Sequence, residues 1–197
     1  MMHARMREER RMLEAFVRKP TRTGAVLPSS RQLAELMTEG MGLETAGTVV
    51  ELGAGTGAFT RLIGERVRKD ALVLAFEIDP ALAKELVGAI PGVHIVNDSA
   101  ERIAEHLHAA GRAAADTILS GLPWAIFSRE LQDRLLTAVV AALRPGGHFA
   151  TFAYVPAAYF PPGRRFRALL QAHFATIETT RMVWRNFPPA FVYRCRK

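Results

Sequence analysis

A chain of 197 residues, 49% of them apolar, is long enough for one sizeable core, and its even composition marks no boundary between two domains. A single cysteine, Cys195, excludes a disulfide framework and a thiolate-built structural metal site, as expected in a reducing compartment. The net charge of +7 is uneven: residues 1–22 carry seven basic against three acidic side chains, and residues 161–197 carry eight against Glu178 alone, which leaves the stretch between at −4.

Basic ends on a mildly acidic middle point to a polyanionic partner, either nucleic acid or anionic lipid, with plain solubility as the alternative use of the charge. No apolar run approaches the roughly 18 to 20 residues that span a bilayer, and the start of the chain lacks the apolar core of a signal peptide. A soluble or peripheral protein is expected. Residues 2–18 read as an amphipathic helix, with Met2, Met6, Leu13, Phe16 and Val17 on one side, arginines largely around the other, and Pro20 as its stop. The basic segment 1–22 is thereby set apart from a main domain over 23–197. A second helix is predicted from Ser30 to Met41, opened by Ser29-Ser30 and closed near Gly42.

Strands and helices then alternate. The first strand is Thr48–Leu52, followed by Gly53-Ala54-Gly55-Thr56-Gly57 and a helix from Ala58 to Val67. Small residues are needed where the backbone turns sharply and approaches a ligand closely. The second strand, Leu72–Phe76, ends in Glu77-Ile78, where a carboxylate can accept both hydroxyls of a ribose; the third, Val93–Val96, ends in Asn97-Asp98-Ser99, suited to an adenine edge. Both acids could instead cap the helices that follow them. A nicotinamide site is the chemical competitor, but its G-x-G-x-x-G/A pattern fits only with Ala58 as the last small residue.

The fourth strand, Asp116–Leu119, leads into Ser120-Gly121-Leu122-Pro123-Trp124, placed beside the glycine loop by the rule that open sheets bind ligands beyond the carboxyl ends of their strands. A helix over 129–143, an Arg144-Pro145-Gly146-Gly147 turn, a fifth strand His148–Tyr154, a helix over 164–173 and two antiparallel strands near 176–184 and 190–196 complete the pattern. If the sixth strand runs parallel to the first five, the loop Arg185-Asn186-Phe187-Pro188-Pro189 returns to the ligand side and lines its entrance. The expected fold is α/β and Rossmann-like, a seven-stranded, mostly parallel sheet with helices on both faces, plus the N-terminal amphipathic helix. His106 and His108 point away from one another on a helix and the other histidines are scattered, so no metal site is expected.

Glu51-Leu52-Gly53-Ala54-Gly55-Thr56-Gly57 resembles the first motif of class I methyltransferases, in which the acid lies near the amino group of S-adenosylmethionine. By that resemblance Glu51, Gly53, Ala54, Gly55, Gly57, Glu77, Ile78, Asp98 and Ser99 form the cofactor site. Gly121-Leu122-Pro123-Trp124 resembles the Asn-Leu-Pro-Tyr loop of amine-directed methyltransferases, with glycine in place of asparagine and tryptophan in place of tyrosine. With Asn186-Phe187-Pro188-Pro189-Ala190-Phe191-Val192 it is similar to two families. Ribosomal RNA adenine dimethyltransferases share the proline loop, but their glutamine-bearing cofactor loop is replaced here by residues 23–31, and their appended helical domain is not expected. The bacterial phospholipid N-methyltransferase family is similar over nearly the full length.

The second resemblance implies stepwise methylation of phosphatidylethanolamine through its monomethyl and dimethyl forms, towards phosphatidylcholine, by a cytoplasmic protein peripheral to the inner face of the cell membrane. Its partners would be the phospholipid substrate and an anionic membrane surface met by the N-terminal helix, with nucleic acid as the alternative and no obligate protein partner. An amine must attack in its neutral form, so Ser120, Tyr154, Tyr159 and the backbone carbonyls of Gly121, Leu122 and Pro123 are the candidate proton acceptors. Trp124 and Phe187 could favour a methylated ammonium by cation–π attraction. Arg164, Arg165 and Arg185, with Asn186 beside them, are candidates for binding a lipid phosphate.

Overall fold

The computed structural model describes residues 30–197, so the basic amphipathic helix expected over 2–18 lies outside the described residues. Ser30 caps α1 (Arg31–Thr38), its hydroxyl accepting from the Leu33 amide. The order continues as β1 (Thr48–Leu52), α2 (Ala58–Arg66), β2 (Leu72–Phe76), α3 (Pro80–Leu86), β3 (Val93–Val96), a 3-10 turn (Ala100–Arg102), α4 (Ile103–Ala109), β4 (Ala115–Ser120), α5 (Arg129–Ala142), β5 (Leu143–Tyr154), α6 (Val155–Tyr159), α7 (Pro161–His173), β6 (Thr176–Thr179) and β7 (Ala190–Arg196).

These strands form one sheet in the order β3-β2-β1-β4-β5-β7-β6. β1 is buried at all five positions and pairs in parallel with β2 and β4, as a nearly continuous apolar run between two helical layers should. One face packs on α4, α5 and α7 through Ile103, Leu135, Val139 and Phe166, and the other on α1 and α2 through Leu33, Met37, Phe59 and Ile63. β7 is antiparallel to both β5 and β6, so β6 runs with the parallel strands and the chain between β6 and β7 returns to their carboxyl ends. The order reverses between β1 and β4, the crevice where such sheets hold a ligand.

Several elements differ from expectation: α1 ends at Thr38 rather than Met41, α7 begins at Pro161 rather than 164, and β4 gains a residue at each end. Leu143 already pairs with Ala115, so Arg144–Gly147 is an irregularity inside β5 rather than a turn before it; the register resumes at Thr117 and His148. α6 was not foreseen: Val155-Pro156 starts a short helix because proline fits a first helical turn. β6 stops at Thr179 rather than 184, because the Thr180 hydroxyl accepts from the Val192 amide in place of a carbonyl, and only Val183 and Ala190 pair again beyond it.

Candidate active site

The first half of the site is the loop between β1 and α2. Gly53, Gly55 and Gly57 have φ of 76°, 57° and 82°, the left-handed region that side chains resist. At Gly57 a Cβ would also lie 2.7 Å from Leu86 Cδ2, so a side chain there would have to displace that methyl group. The amides of Gly53 and Ala54 both donate to the Phe76 carbonyl, at 2.9 and 3.0 Å, tying the loop to the end of β2. α2 begins without a side-chain cap, which leaves first-turn amides directed at the loop.

Glu51 stands inside the fully buried strand β1, and neither of its carboxylate oxygens has a hydrogen-bond partner among the described residues. Burial pushes its pKa from 4.5 to about 7, against a lowering by the neighbouring Thr60 hydroxyl and with a further rise from the charge of Glu77. The Thr60 hydroxyl itself completes no hydrogen bond, so it relieves the carboxylate only partly. An orphaned buried carboxylate is costly in an empty fold and suits one that receives a cation.

Glu77 and Asp98 close the other side. Glu77 is buried; its Oε2 accepts from the Gly55 amide at 2.7 Å and its Oε1 from the Asp79 amide at 2.8 Å. Burial raises its pKa, the amides of Asp79 and Gly55 opposing. It does not cap α3. Asp79 does, accepting from Ala81 and Leu82, with Ile78 half-buried between the two acids. Asp98 does not cap either, since Ser99 accepts from the Glu101 amide. Its carboxylate is held by the Ser99 amide at 2.8 Å, Arg102 Nη1 at 2.7 Å and His106 Nε2 at 2.9 Å. Arg102 and His106 were not anticipated, although four- and eight-residue spacings onto a helix were the available signal.

The loop after β4 lies against the glycine loop, the Gly121 amide donating to the Leu52 carbonyl at 2.8 Å. Ser120 is fully buried, and its hydroxyl accepts from Trp124 Nε1 at 3.0 Å and from the Leu122 amide at 3.3 Å. Trp124 is 2% exposed and stacks on Phe166, ring centroids 4.5 Å apart. Its carbonyl accepts from Gln132, whose own oxygen accepts from Arg165 Nε at 3.0 Å. Ser120, Trp124 and Arg165 thus support the loop rather than face an amine or a phosphate, a revision of what the sequence suggested. Ser120→Ala should leave the buried indole N–H without an acceptor and lower unfolding free energy by about 1–3 kcal/mol in denaturant titration, with turnover per folded molecule retained. A collapse in turnover at unchanged stability would instead make Ser120 a proton relay.

Among the carbonyls of this loop, Leu122 and Pro123 already accept from Trp124 and Ile126, while Gly121 accepts nothing among the described residues. Tyr154 is half-buried and its phenol is pushed up to about 12 by burial, so it stays protonated near neutrality and is no base. Tyr159 and Phe187 are exposed. Asn186 is buried, its oxygen accepting from the Ser30 amide and its nitrogen donating to the Pro188 carbonyl, which pins the loop to α1 and removes it as a phosphate ligand. Arg164 and Arg185 are exposed and form no ion pair among the described residues. Beside Pro123 opens an apolar cleft of about 60 Å³, lined by the rings of Trp124, Phe152, Tyr154, Phe166 and Tyr193. No charged side chain lines it. Its rings come from four distant elements, which is why no local pattern announced it.

A sheet reversing between β1 and β4, a cradle of three left-handed glycines, a buried acid unpartnered among the described residues for an ammonium and a second acid at the end of β2 define a class I S-adenosylmethionine-dependent methyltransferase. S-adenosylmethionine is the cofactor; Glu51, Glu77 and the glycine loop are the residues fitted to hold it. No protein-family model matches the chain. It is 33% identical over 187 residues to an ornithine lipid N-methyltransferase of Singulisphaera acidiphila, covering 93% of each chain. Among solved structures, the O-methyltransferase TomG of Streptomyces achromogenes, in complex with S-adenosylmethionine, has a TM-score of 0.65 at 16% identity over 98% of this chain and 89% of that one. A Thermotoga maritima S-adenosylmethionine-dependent O-methyltransferase scores 0.63 at 18% identity, over 94% and 71%. The structures share the fold; the sequence relative shows that the chain belongs to the family of the ornithine lipid N-methyltransferase.

Proposed function

We propose that this protein transfers methyl groups from S-adenosylmethionine to the amine of a membrane lipid, phosphatidylethanolamine and its monomethyl and dimethyl forms, towards phosphatidylcholine. The observation that carries a lipid amine is the uncharged cleft of rings beside Pro123, on the same loop as the Gly121 carbonyl, which accepts nothing among the described residues. When bound, the cofactor supplies a methyl group on a sulfonium, whose thioether leaves without needing an acid. The chain's own task is positional. In the first two rounds the Gly121 carbonyl can accept an N–H of the neutral amine and aim its lone pair at the cofactor cradle; the tertiary amine of the third has no N–H and is positioned by the cleft alone. As the new N–C bond forms the nitrogen becomes cationic, and the rings of the cleft favour a methylated ammonium over water by cation–π attraction. After each of the first two rounds a proton leaves to solvent before the next; the third gives a quaternary ammonium with none to lose. Arg164 and Arg185, exposed on the connections that follow β5 and β6, would meet the lipid phosphate.

In this reading residues 1–22 lie on an anionic membrane at the cytoplasmic face, and no protein partner is required. The Singulisphaera relative favours a second substrate, an ornithine lipid, whose amine is likewise borne on a lipid. The test is transfer of labelled methyl groups into vesicles of phosphatidylethanolamine, into vesicles containing ornithine lipid, and into undermethylated ribosomal RNA, with Glu77→Ala as the control. Label in phosphatidylethanolamine that the variant loses is the expected result. Label in ornithine lipid alone would replace the substrate and keep the mechanism, and label in RNA alone would overturn the lipid reading.

A further inference from the structure

Six large apolar side chains are exposed among the described residues: Val87, Ile126, Tyr159, Phe160, Trp184 and Phe187. All but Val87 belong to the connections that leave β4, β5 and β6 at the carboxyl ends of the parallel strands. Tyr159 and Phe160 form the corner between α6 and α7, at 70% and 62% exposure; Trp184 and Phe187 project from the chain between β6 and β7, at 73% and 61%. Arg164, Arg181 and Arg185 are interleaved with them and exposed. Between Asp133 and the end of the chain the only acid is Glu178, which pairs with Arg194 on β7.

Exposed aromatic side chains gathered on one edge are unusual on a water-facing surface, and rings flanked by arginines that form no ion pair among the described residues are what the headgroup layer of an anionic bilayer accepts. We propose that this rim is a membrane-docking surface in its own right, with Trp184 and the Tyr159-Phe160 corner at headgroup depth and Arg164, Arg181 and Arg185 against lipid phosphates. Arg181, Trp184 and Arg185 share a hollow with Glu35 and Glu39 of α1, but those acids pair with Arg31 and Arg194, and the basic character of the rim selects an anionic bilayer over a neutral surface. The proposal rests on the lipid-amine reading for its purpose, because the same rim holds the mouth of the site, and docking there would present Gly121 and its neighbours to the bilayer. It does not depend on residues 1–22.

The chain holds two tryptophans, Trp124 at 2% exposure and Trp184 at 73%, so tryptophan emission separates this rim from the rest of the molecule. The full chain is titrated with vesicles of phosphatidylcholine, with and without phosphatidylglycerol. Expected are a blue shift, loss of acrylamide quenching and quenching by bromine-labelled acyl chains, all with the anionic vesicles, weakened by salt and absent from the Trp184→Phe variant. Trp184→Ser combined with Phe160→Ser should weaken flotation with those vesicles at least tenfold, yet leave methylation of a short-chain, monomeric phosphatidylethanolamine unchanged. Vesicles that bind the protein while Trp184 stays as open to acrylamide as in solution would overturn the proposal, leaving docking to other residues. So would a Trp184 already blue-shifted without vesicles, which would mean that the chain's own residues cover it, or a response to RNA and not to vesicles. Insertion of Trp184 without methylation of any lipid would retain the rim and remove the substrate reading instead.

Discussion

Glu51→Gln should make the free protein more stable above neutral pH and, in the same substitution, remove most of its affinity for S-adenosylmethionine. The carboxyl group is buried without hydrogen-bond partners among the described residues, and its pKa rises from 4.5 to about 7 chiefly by desolvation. A carboxyl raised on folding holds its proton more tightly in the folded than in the unfolded chain. Its contribution is therefore most favourable below pH 4.5, falls as pH climbs through about 7, and is flat above. The shift corresponds to on the order of 3 kcal/mol lost by pH 8. Glutamine is neutral throughout and escapes that loss. The melting temperature of the variant at pH 8 should exceed that of the native protein by roughly 5–10 °C, with little difference at pH 5.

Binding should move the other way. A cationic amino group needs the ionised carboxylate, so affinity for S-adenosylhomocysteine, which keeps that amino group, should fall about tenfold for each pH unit below about 7 in the native protein. In the variant it should be flat with pH and weaker by on the order of a hundredfold at pH 8, as expected when one partner of a buried ion pair is removed. Calorimetric titration at pH 5.5 and 8, beside thermal unfolding at the same values, reads both effects. Parallel stability profiles for the two proteins would mean that Glu51 is already ionised and paired in the free state. The residue illustrates a general exchange of stability for function, since a fold that needs a charge in its interior accepts a weaker empty state.

How much of this was legible follows from the range of the forces involved. β1, β2 and β3 begin and end where the sequence places them, because each is a short, mostly apolar run that ends at a glycine or a polar residue, Gly53, Glu77 and Asn97. Glycines at 53, 55 and 57 announce a backbone turn for the same local reason. The acids after β2 and β3 were found as candidates, but whether they cap helices depends on Asp79 and Ser99 beside them; Asp79-Pro80 is a cap signal that settles the first case. What could not be read is which polar groups are already engaged. Trp124 takes the hydroxyl of Ser120 across a loop, Gln132 takes Arg165 across two helices, and Ser30 takes Asn186 from the far end of the chain. Each pairing is tertiary, so residue type alone made all of these look available for substrate. The edge of the sheet was hardest, since the shape of the β6–β7 connection turns on one threonine hydroxyl.

The second large effect is expected at Gly121, where the resemblance to amine-directed methyltransferases breaks. A Cβ there would lie 2.8 Å from the Gly53 carbonyl oxygen, 3.5 Å from that of Leu52 and 3.6 Å from Phe59 Cε2. The two closest atoms are backbone, and the Gly121 amide is itself bonded to Leu52, so neither side of the contact has a flexible end that can yield. Room, not backbone conformation, requires glycine, because its φ is not left-handed. Gly121→Ala should lower unfolding free energy by about 1–3 kcal/mol, the usual range for overpacking. It should also reduce methyl transfer at least tenfold even at saturating cofactor, because either the loop after β4 retreats or the cofactor cradle shifts. Gly121→Asn separates two accounts of the chemistry. If a side chain at this position were the missing amine ligand, asparagine would raise activity towards the lipid amine. The contact with Gly53 predicts a loss at least as deep as that of alanine, in which case the amine contact in this protein comes from the backbone carbonyl at 121 and selectivity from the ring-lined cleft beside it.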